Sequence, residues 1–344
     1  MKSNLHILFA ACAAAALSAC GGSGGSDAPA PQPPAPAPAG VTITSGNQAA
    51  VTQATIAGGL SVSNVETATN AGGSGVQPTS VTARAHALTT LVRRALAAGP
   101  QRRATIESVA AAHPLAVSTD TEACGVSGTL TTTFNDVDGN GTISAGDILT
   151  IQFNQCRDTA TSLYNGKAVI TMATVPTAEQ ITGTADFQNL SAVEGGLTST
   201  VDGTLSISET DSDTSSDVAL TVGANGLTET MASSSYNDVV TLNAGLNITV
   251  DEVFAAQRSQ LTFDGVLSAQ SVPGGHLTLT TKTPFVLNDS DDFPSAGVLQ
   301  VKGTHGTLLI TVQNSTNVQV QLDTNDDGTY ESTTSTPWTS LIPQ

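Results

Sequence analysis

The chain has 344 residues, of which 29 are acidic and 11 are basic, so its formal net charge is −18 at pH 7. Such a charge argues against nucleic acid or an anionic lipid surface as a partner and leaves cations as natural ones. Apolar residues make up 39% of the chain, enough for a core, whereas charged residues make up 12% and aromatic residues 3%. Abundant Thr, Ser, Gly and Val with few charges is typical of antiparallel sheets that have one solvated face.

The N-terminus has the layout of a secretory signal, with a basic start at Lys2, an apolar run over residues 5–17 and small residues after it. The motif Leu17-Ser18-Ala19-Cys20 resembles the lipobox of bacterial lipoproteins. The resemblance implies cleavage before Cys20 and lipid chains, palmitate among them, on that cysteine. Two or more chains anchor a protein lastingly without spanning the membrane. Since Gly21 is not the Asp that retains some lipoproteins at the inner membrane, the resemblance favours the outer membrane.

Two alternatives to the lipobox are an ordinary cleaved signal and a short transmembrane helix. The apolar run is shorter than the ~20 residues that a spanning helix needs. Glycine and serine, not a cluster of charges, follow Cys20. We therefore divide the chain into a signal peptide (1–19), a lipidated cysteine with a Gly/Ser/Pro/Ala linker (20–40), a helical N-terminal region (41–120) and an antiparallel β domain (121–344).

Helical periodicity is confined to the N-terminal region. Apolar residues recur at helical spacing between residues 82 and 98, and Gly99-Pro100 supplies a stop. A second, shorter helix is predicted over residues 105–112, and an alanine-rich helix is predicted after Asn47.

From Cys124 onwards the apolar pattern has a period of two, which predicts strands. The clearest are residues 130–134, 148–153, 261–267, 277–279, 308–312 and 318–322, with turn signals at Asn225-Gly226, Pro273-Gly274-Gly275, His305-Gly306 and residues 314–317. The connections are too short for crossover helices. We expect a mainly β fold with a small α region, in which an antiparallel meander curls into a barrel, half-barrel or sandwich. Trp338 is expected to plug the core beside the last strand.

The strongest motif in the mature chain spans residues 136–147. It resembles the EF-hand calcium loop, with Asp136, Asp138, Asn140, Ser144 and Asp147 as oxygen ligands, the Thr142 carbonyl as another, Gly141 at the turn and Ile143 at the apolar position. Its flanks are strands and its last position is Asp, not Glu, so it is more similar to the loops of dockerins and extracellular modules. The resemblance implies calcium at weak affinity, roughly 10⁻⁵ to 10⁻³ M. The alternative is a solvated polar turn without an ion.

Cys124 and Cys156 bracket this loop and are the two cysteines that remain after signal removal and acylation. An oxidising compartment favours a disulfide between them. A metal–thiolate site is the weaker alternative, because no four suitable ligands cluster in the sequence.

A second acidic loop near the C-terminus repeats the first half of the same pattern. Its candidate ligands are Asp323, Asn325, Asp327, the Thr329 carbonyl and Glu331. The twelfth position is Thr334, which cannot close the cage with a carboxylate, so calcium is less strongly predicted here.

The sequence thus predicts an outer-membrane lipoprotein with a calcium-stabilised β domain and a structural or binding role at the cell envelope. Its partners are the membrane, through the lipid anchor, and a protein or small molecule that the sequence does not identify. One alternative is a periplasmic carrier of a lipid or another hydrophobic ligand, and another is a secreted hydrolase. No catalytic residue can be assigned, because no histidine adjoins a nucleophile in a recognisable motif.

Overall fold

The computed structural model describes residues 40–63, 117–140, 143–157, 159–174, 180–194, 196–288, 290–291 and 293–341. All of them belong to the unit Pro38–Gln344. The signal peptide, Cys20, most of the linker, the helices predicted over residues 82–98 and 105–112, Gly141 and Thr142 lie outside the described residues. Among the described residues, no helix is both long enough and apolar enough to cross a membrane.

The described part of the chain forms one α-helix and one antiparallel sheet of 15 strands. The helix α1 spans Gln48–Ser63, as predicted after Asn47. The strands are β1 (Val117–Ala123), β2 (Ser127–Asn135), β3 (Ile148–Arg157), β4 (Leu163–Met172), β5 (Gln180–Glu194), β6 (Leu197–Asp211), β7 (Ser215–Ala232), β8 (Asn237–Leu242), β9 (Asn247–Val253), β10 (Arg258–Ala269), β11 (Val272–Asn288), β12 (Ala296–Lys302), β13 (Thr307–Asn314), β14 (Asn317–Asp323) and β15 (Ser332–Pro337). Short 3-10 helices follow β9 (Phe254–Ala256) and β15 (Trp338–Ser340).

The sheet is a meander in which nearly every strand pairs with its neighbours in the chain. The exception is a broken strand: β8 and β9 run in the same direction and together fill one position between β7 and β10. β1 and β15 are the edges, each paired with one other strand of the described residues. The predicted class is confirmed, and one meandering sheet around a shared core fits a half-barrel or a sandwich.

Alternating residues of the strands build that core, because successive side chains of a strand point to opposite faces. In β13 and β14 the inward residues Leu308, Ile310, Val318 and Val320 are at most 2% exposed. A single buried cluster joins them to residues of β2 and to α1. Trp338 is fully buried and stacks on Phe293 with ring centroids 5.9 Å apart, which confirms its predicted position in the core.

Two predicted turns are wrong. Asn225-Gly226 lies inside β7, where Gly226 adopts a positive φ of 78° opposite the break between β8 and β9. The strand bulges there and continues, because glycine tolerates this conformation without a chain reversal. Pro273-Gly274-Gly275 lies near the start of β11, and the reversal from β10 occurs just before it. The turns at His305-Gly306 and at residues 314–317 are confirmed.

The first described residues join the sheet at the turn between β12 and β13. The backbone N–H of Ile43 donates to the carbonyl of His305 at 2.7 Å, and that of Thr304 donates to the carbonyl of Val41 at 2.7 Å. A Cβ on Gly303 would lie 2.1 Å from the Val41 carbonyl oxygen, so only glycine allows this approach. The segment that precedes α1 is therefore held by backbone hydrogen bonds.

Two carboxylates oppose each other on the outer face, where Asp217 of β7 pairs with Asp251 of β9. Loss of hydration on partial burial raises the pKa of Asp251, and the negative charge of Asp217 raises it further. The folded state therefore holds a proton more tightly than the unfolded state, whose aspartates titrate near ~3.9. Protonation of Asp251 therefore contributes to the free energy of unfolding. This contribution is fully present below the unfolded-state pKa and is lost as the pH rises through the folded-state pKa.

We expect Asp251→Asn to raise the free energy of unfolding at pH 7 by ~0.2–1 kcal/mol, toward the lower end because the pair is exposed. The gain should shrink toward zero as the pH falls below the unfolded-state pKa. Urea unfolding across this pH range measures it, and Asp217→Asn should give a similar gain. An equal effect of Asp251→Asn at acid and neutral pH would contradict the explanation.

Candidate metal centres

The first acidic loop forms the tip of the hairpin between β2 and β3. One carboxylate oxygen from each of Asp136, Asp138 and Asp147 lies within 4.8 Å of the other two. Oxygens that share one calcium ion lie up to ~5 Å apart, since each is 2.3–2.6 Å from the metal. Asp147 is fully buried and Asp136 is 6% exposed, whereas Asp138 is exposed. The sequence-predicted carboxylates thus converge, and together they could hold a metal ion.

Hydrogen bonds within the loop fix two of these carboxylates. Asp147 accepts the backbone N–H of Val137 through Oδ1 at 2.8 Å and that of Ser144 through Oδ2 at 2.7 Å. Asp136 Oδ1 accepts the backbone N–H of Gly139 at 2.7 Å. Because these bonds close the turn, Asp147 and Asp136 support the hairpin whether or not a cation is bound.

The exposed carboxylate of Asp138 has a different environment. The Ser144 hydroxyl donates to its Oδ2 at 2.9 Å, and the Asn140 side-chain amide donates to the same oxygen at 2.7 Å. The hydroxyl bond is the largest cause that lowers the pKa of Asp138, so this group is ionised at neutral pH. Asn140 and Ser144, both predicted ligands, therefore adjoin the carboxylate that reaches out of the turn. Ile143, at the predicted apolar position, is buried in the core.

The second acidic loop lies between β14 and β15 and gathers Asp323, Asp327 and Glu331, whose nearest carboxylate oxygens are within 4.8 Å of one another. Asp323 is 4% exposed and accepts the Gly328 N–H at 2.9 Å. Glu331 Oε2 accepts the Thr324 N–H at 2.8 Å. This group too could hold a metal ion.

The other predicted ligands of the second loop take part in its backbone. Asn325 Oδ1 accepts the Asp327 N–H at 3.0 Å, and its Nδ2 donates to Asp327 Oδ2 at 3.0 Å. The Thr329 N–H donates to Asp327 Oδ1 at 2.7 Å and is the main cause that lowers the pKa of Asp327. The turn is therefore ordered by its own side chains, and Asp327 is held ionised.

Asp326 was not among the predicted ligands, and its side chain contacts the turn between β12 and β13. Its carboxylate accepts the Thr307 hydroxyl at 2.7 Å and the Gly306 N–H at 3.0 Å. These bonds, that of Thr307 first, lower the pKa of Asp326. The second loop thus braces the turn between β12 and β13, which in turn holds Val41 and Ile43. The backbone of Asp326 is left-handed, with φ 59°, and its side chain contacts this neighbouring turn instead of its own loop.

The predicted disulfide joins Cys124 to Cys156, with Cα atoms 5.4 Å apart. Cys124 follows β1 and Cys156 lies near the end of β3, so the bond clamps the open end of the β2–β3 hairpin. The acidic loop closes the other end of the same hairpin.

Two further polar features were not predicted. A shallow cleft of about 470 Å³ opens at the break between β8 and β9, lined by Ala224, Asn225, Gly226, Thr241, Asn243, Ala244 and Val266. The Asn243 amide lies 3.1 Å from Nδ1 of His276. The other feature is a buried carboxylate, Asp238, which is 0% exposed at the start of β8.

The sequence analysis predicted neither feature, because the residues that line the cleft, and the partners of Asp238, come from different strands and turns. Asp238 did carry a signal: it shares the inward face of its strand with Val240 and Leu242, where a charge is out of pattern. Comparison of the chain with known protein families, with curated proteins and with solved structures gives no match.

Proposed function

We propose that this protein is a lipid-anchored envelope protein whose β domain is stabilised by calcium and has a structural or binding role. The observation that carries the proposal is the convergence of Asp136, Asp138 and Asp147 at a hairpin tip. Carboxylate oxygens are the ligands that calcium prefers, and the ion tolerates an irregular cage. The lipobox at Cys20 supports anchorage at the outer membrane, and the disulfide agrees with an oxidising compartment.

Calcium is favoured over smaller cations by the kind of loop that holds the carboxylates. Magnesium demands a near-ideal octahedron and gives up its water reluctantly. Here the carboxylates come from one short loop, and Asp147 cannot reach as far as a glutamate. We therefore expect weak affinity at both loops, roughly 10⁻⁵ to 10⁻³ M, with the second weaker because its twelfth position has no carboxylate.

Calcium should raise the melting temperature of the protein, and chelator should lower it. Binding to the native state alone contributes RT ln(1 + [Ca]/Kd), about 2.7 kcal/mol at a hundredfold excess over Kd. Differential scanning fluorimetry with calcium, magnesium and chelator measures the response. A melting temperature that does not depend on calcium would show that both loops are polar turns that bind no calcium.

The sharpest variant for this test is Asp138→Asn. Asparagine removes the charge of Asp138 but keeps an oxygen that can accept the Asn140 N–H, so the calcium-free melting temperature should change little while most of the calcium response of the first loop is lost. Asp136→Ala is less informative, because Asp136 also accepts backbone N–H groups. The matched control is Asp213→Asn, an exposed aspartate outside both clusters, which should respond to calcium as the wild type does.

Anchorage is tested separately at Cys20. Cys20→Ser should either release the protein into the soluble fraction or block its maturation, because lipid can no longer be attached through a thioether. Membrane fractionation with immunodetection of the processed form measures this. A processed Cys20→Ser protein that still sediments with the membrane would refute the lipid anchor but leave the calcium proposal untouched.

A further inference from the structure

The dipeptide Asn225-Gly226 lies within β7 and lines the shallow cleft at the break between β8 and β9. Asn225 is exposed, whereas Gly226 is buried and has a positive φ of 78°. Among the described residues, no hydrogen bond holds the side-chain amide of Asn225. This amide is therefore free to rotate beside the backbone of a glycine.

The backbone around this dipeptide is not held by the ladders of the sheet. In the pairing of β7 with β6, the register passes from Val222 directly to Leu227. The pairing with β9 ends at Thr221, and the pairing with β8 begins at Leu227. Residues 223–226 thus have no partner in these three ladders of the described sheet. The strand can change its backbone torsion angles here without losing a ladder pair, and the glycines at both ends of this stretch widen the accessible range.

A free asparagine side chain followed by glycine can react with its own backbone. The backbone nitrogen of Gly226 loses its proton and forms a bond to Cγ of Asn225, and the bond from Cγ to the side-chain nitrogen breaks, so that ammonia leaves. Glycine has no side chain to obstruct this attack. Water then opens the five-membered succinimide at either carbonyl, which gives aspartate or isoaspartate. The sum consumes one water and releases one ammonia, so the reaction needs no cofactor and no second protein.

The dipeptide Asn165-Gly166 in β4 provides a comparison within the same chain. Oδ1 of Asn165 accepts the backbone N–H of Gln155 at 2.8 Å and the side-chain amide of Gln155 at 3.0 Å. Gly166 pairs with Phe153 of β3. A Cβ on Gly166 would lie 2.1 Å from the carbonyl oxygen of Asn189, so the neighbouring β5 backbone also approaches closely. Attack on this amide would require both hydrogen bonds and the ladder to open.

We infer that Asn225 is a site of self-modification in the folded protein, where it converts to aspartate and isoaspartate through a succinimide with Gly226. The product places a negative charge in a cleft whose lining residues are all uncharged. Isoaspartate also adds one carbon atom to the main chain of β7, and the stretch without ladder partners can take up this extra length. The inference goes beyond the proposed structural role and rests on neither the cation sites nor the lipid anchor.

Incubation of the freshly purified full-length protein, folded and at mildly alkaline pH in water enriched in heavy oxygen, tests the inference. Digestion with pepsin in acid slows the reaction, and mass spectrometry then follows each peptide. The peptide that spans Asn225 should gain one heavy oxygen per conversion and separate into an aspartyl and an isoaspartyl form. The peptide that spans Asn165 should convert at least roughly tenfold more slowly, because its two hydrogen bonds add to the barrier.

The same incubation in urea is the matched control for the effect of the fold. Both asparagines precede glycine, so their conversion rates should become similar once the chain is unfolded. No conversion of Asn225 in the folded protein, or a folded-state rate at Asn165 that equals the rate at Asn225, would overturn the inference. A difference of the same size in urea would show that the local sequence, not the sheet, causes it, and would also overturn the structural explanation.

The variant Asn225→Gln tests the assignment to this side chain. Glutamine keeps the exposed amide, but its attack by the next backbone nitrogen must form a six-membered ring, which is much slower. The peptide that spans residue 225 should therefore stay unmodified in the variant, while conversion at Asn165 stays as in the wild type. Undiminished uptake of heavy oxygen by the peptide that spans residue 225 of the variant would show that another residue reacts and would refute the site.

Discussion

Replacement of Asp238 by alanine is expected to lower the free energy of unfolding by roughly 3–5 kcal/mol, the largest effect of any single substitution we predict. The carboxylate is fully buried, and four groups donate to it. The backbone N–H groups of Val239 and Ser271 each donate to Oδ1 at 2.9 Å. The Ser271 and Tyr236 hydroxyls donate to Oδ2 at 2.5 and 3.3 Å. Its removal leaves those donors buried without an acceptor.

The position of Asp238 explains why so many donors meet there. Asp238 is the second residue of β8, whereas Ser271 lies in the turn between β10 and β11, so the carboxylate joins two hairpins. Burial and the negative charge of Asp238 raise the pKa of Tyr236, which keeps its hydroxyl protonated as a donor. The carboxylate thus acts as the acceptor at the centre of a small polar network in the core.

Urea unfolding at neutral pH measures the loss. Asp238→Asn should cost less than the alanine variant, since its oxygen can still accept the two backbone N–H groups. Tyr236→Phe removes only the longest bond and should cost about 1 kcal/mol. Asp213→Ala, on an exposed turn, should change stability by less than ~0.5 kcal/mol. An Asp238→Ala protein as stable as this control would show that the network contributes nothing.

Loss of the disulfide is the second large effect. Cys124→Ser with Cys156→Ala should lower the free energy of unfolding by roughly 2–4 kcal/mol, because the bond restricts the unfolded chain across a sequence separation of 32 residues. Alanine suits position 156, which is fully buried, and serine suits the partly exposed position 124.

The midpoint of urea unfolding of the variant, compared with that of the oxidised wild type, measures the effect. Reduced wild type serves as the control and should unfold near the variant, since both lack the same constraint. A variant that unfolds at the wild-type midpoint would show that the bond contributes no stability.

The strands with the simplest alternation were the easiest to predict. In β13 and β14, large apolar residues occupy every inward position, so the period of two is plain. In β6 and β7, Ser199 and Glu229 occupy inward positions, and the Ser199 hydroxyl donates to Glu229 at 2.8 Å. Polar residues at buried positions weaken the alternation, which is why these long strands were not among those predicted.

The acidic loops were predictable because all their ligands come from one short stretch of chain. The contacts of Asp326 with Thr307 and of Asp238 with Ser271 were not, because these partners lie 19 and 33 residues away in the sequence. Spacing along the chain reports local geometry, whereas these contacts depend on which hairpins the meander places side by side. The break between β8 and β9 was missed for the same reason, since only the pairing of β7 and β10 shows it.

That break determines how the molecule carries a mechanical load. Because β8 and β9 run in the same direction, they count as one strand position. An odd number of strand positions, β3 to β14, therefore lies between the two acidic hairpins. They therefore lie at opposite ends of the sheet, and the second shares its end with the turn that holds Val41 and Ile43. Tension applied through the chain before Gly40 reaches this turn first, where Asp326 resists it. The first acidic hairpin lies at the opposite end, away from the point where tension enters the sheet.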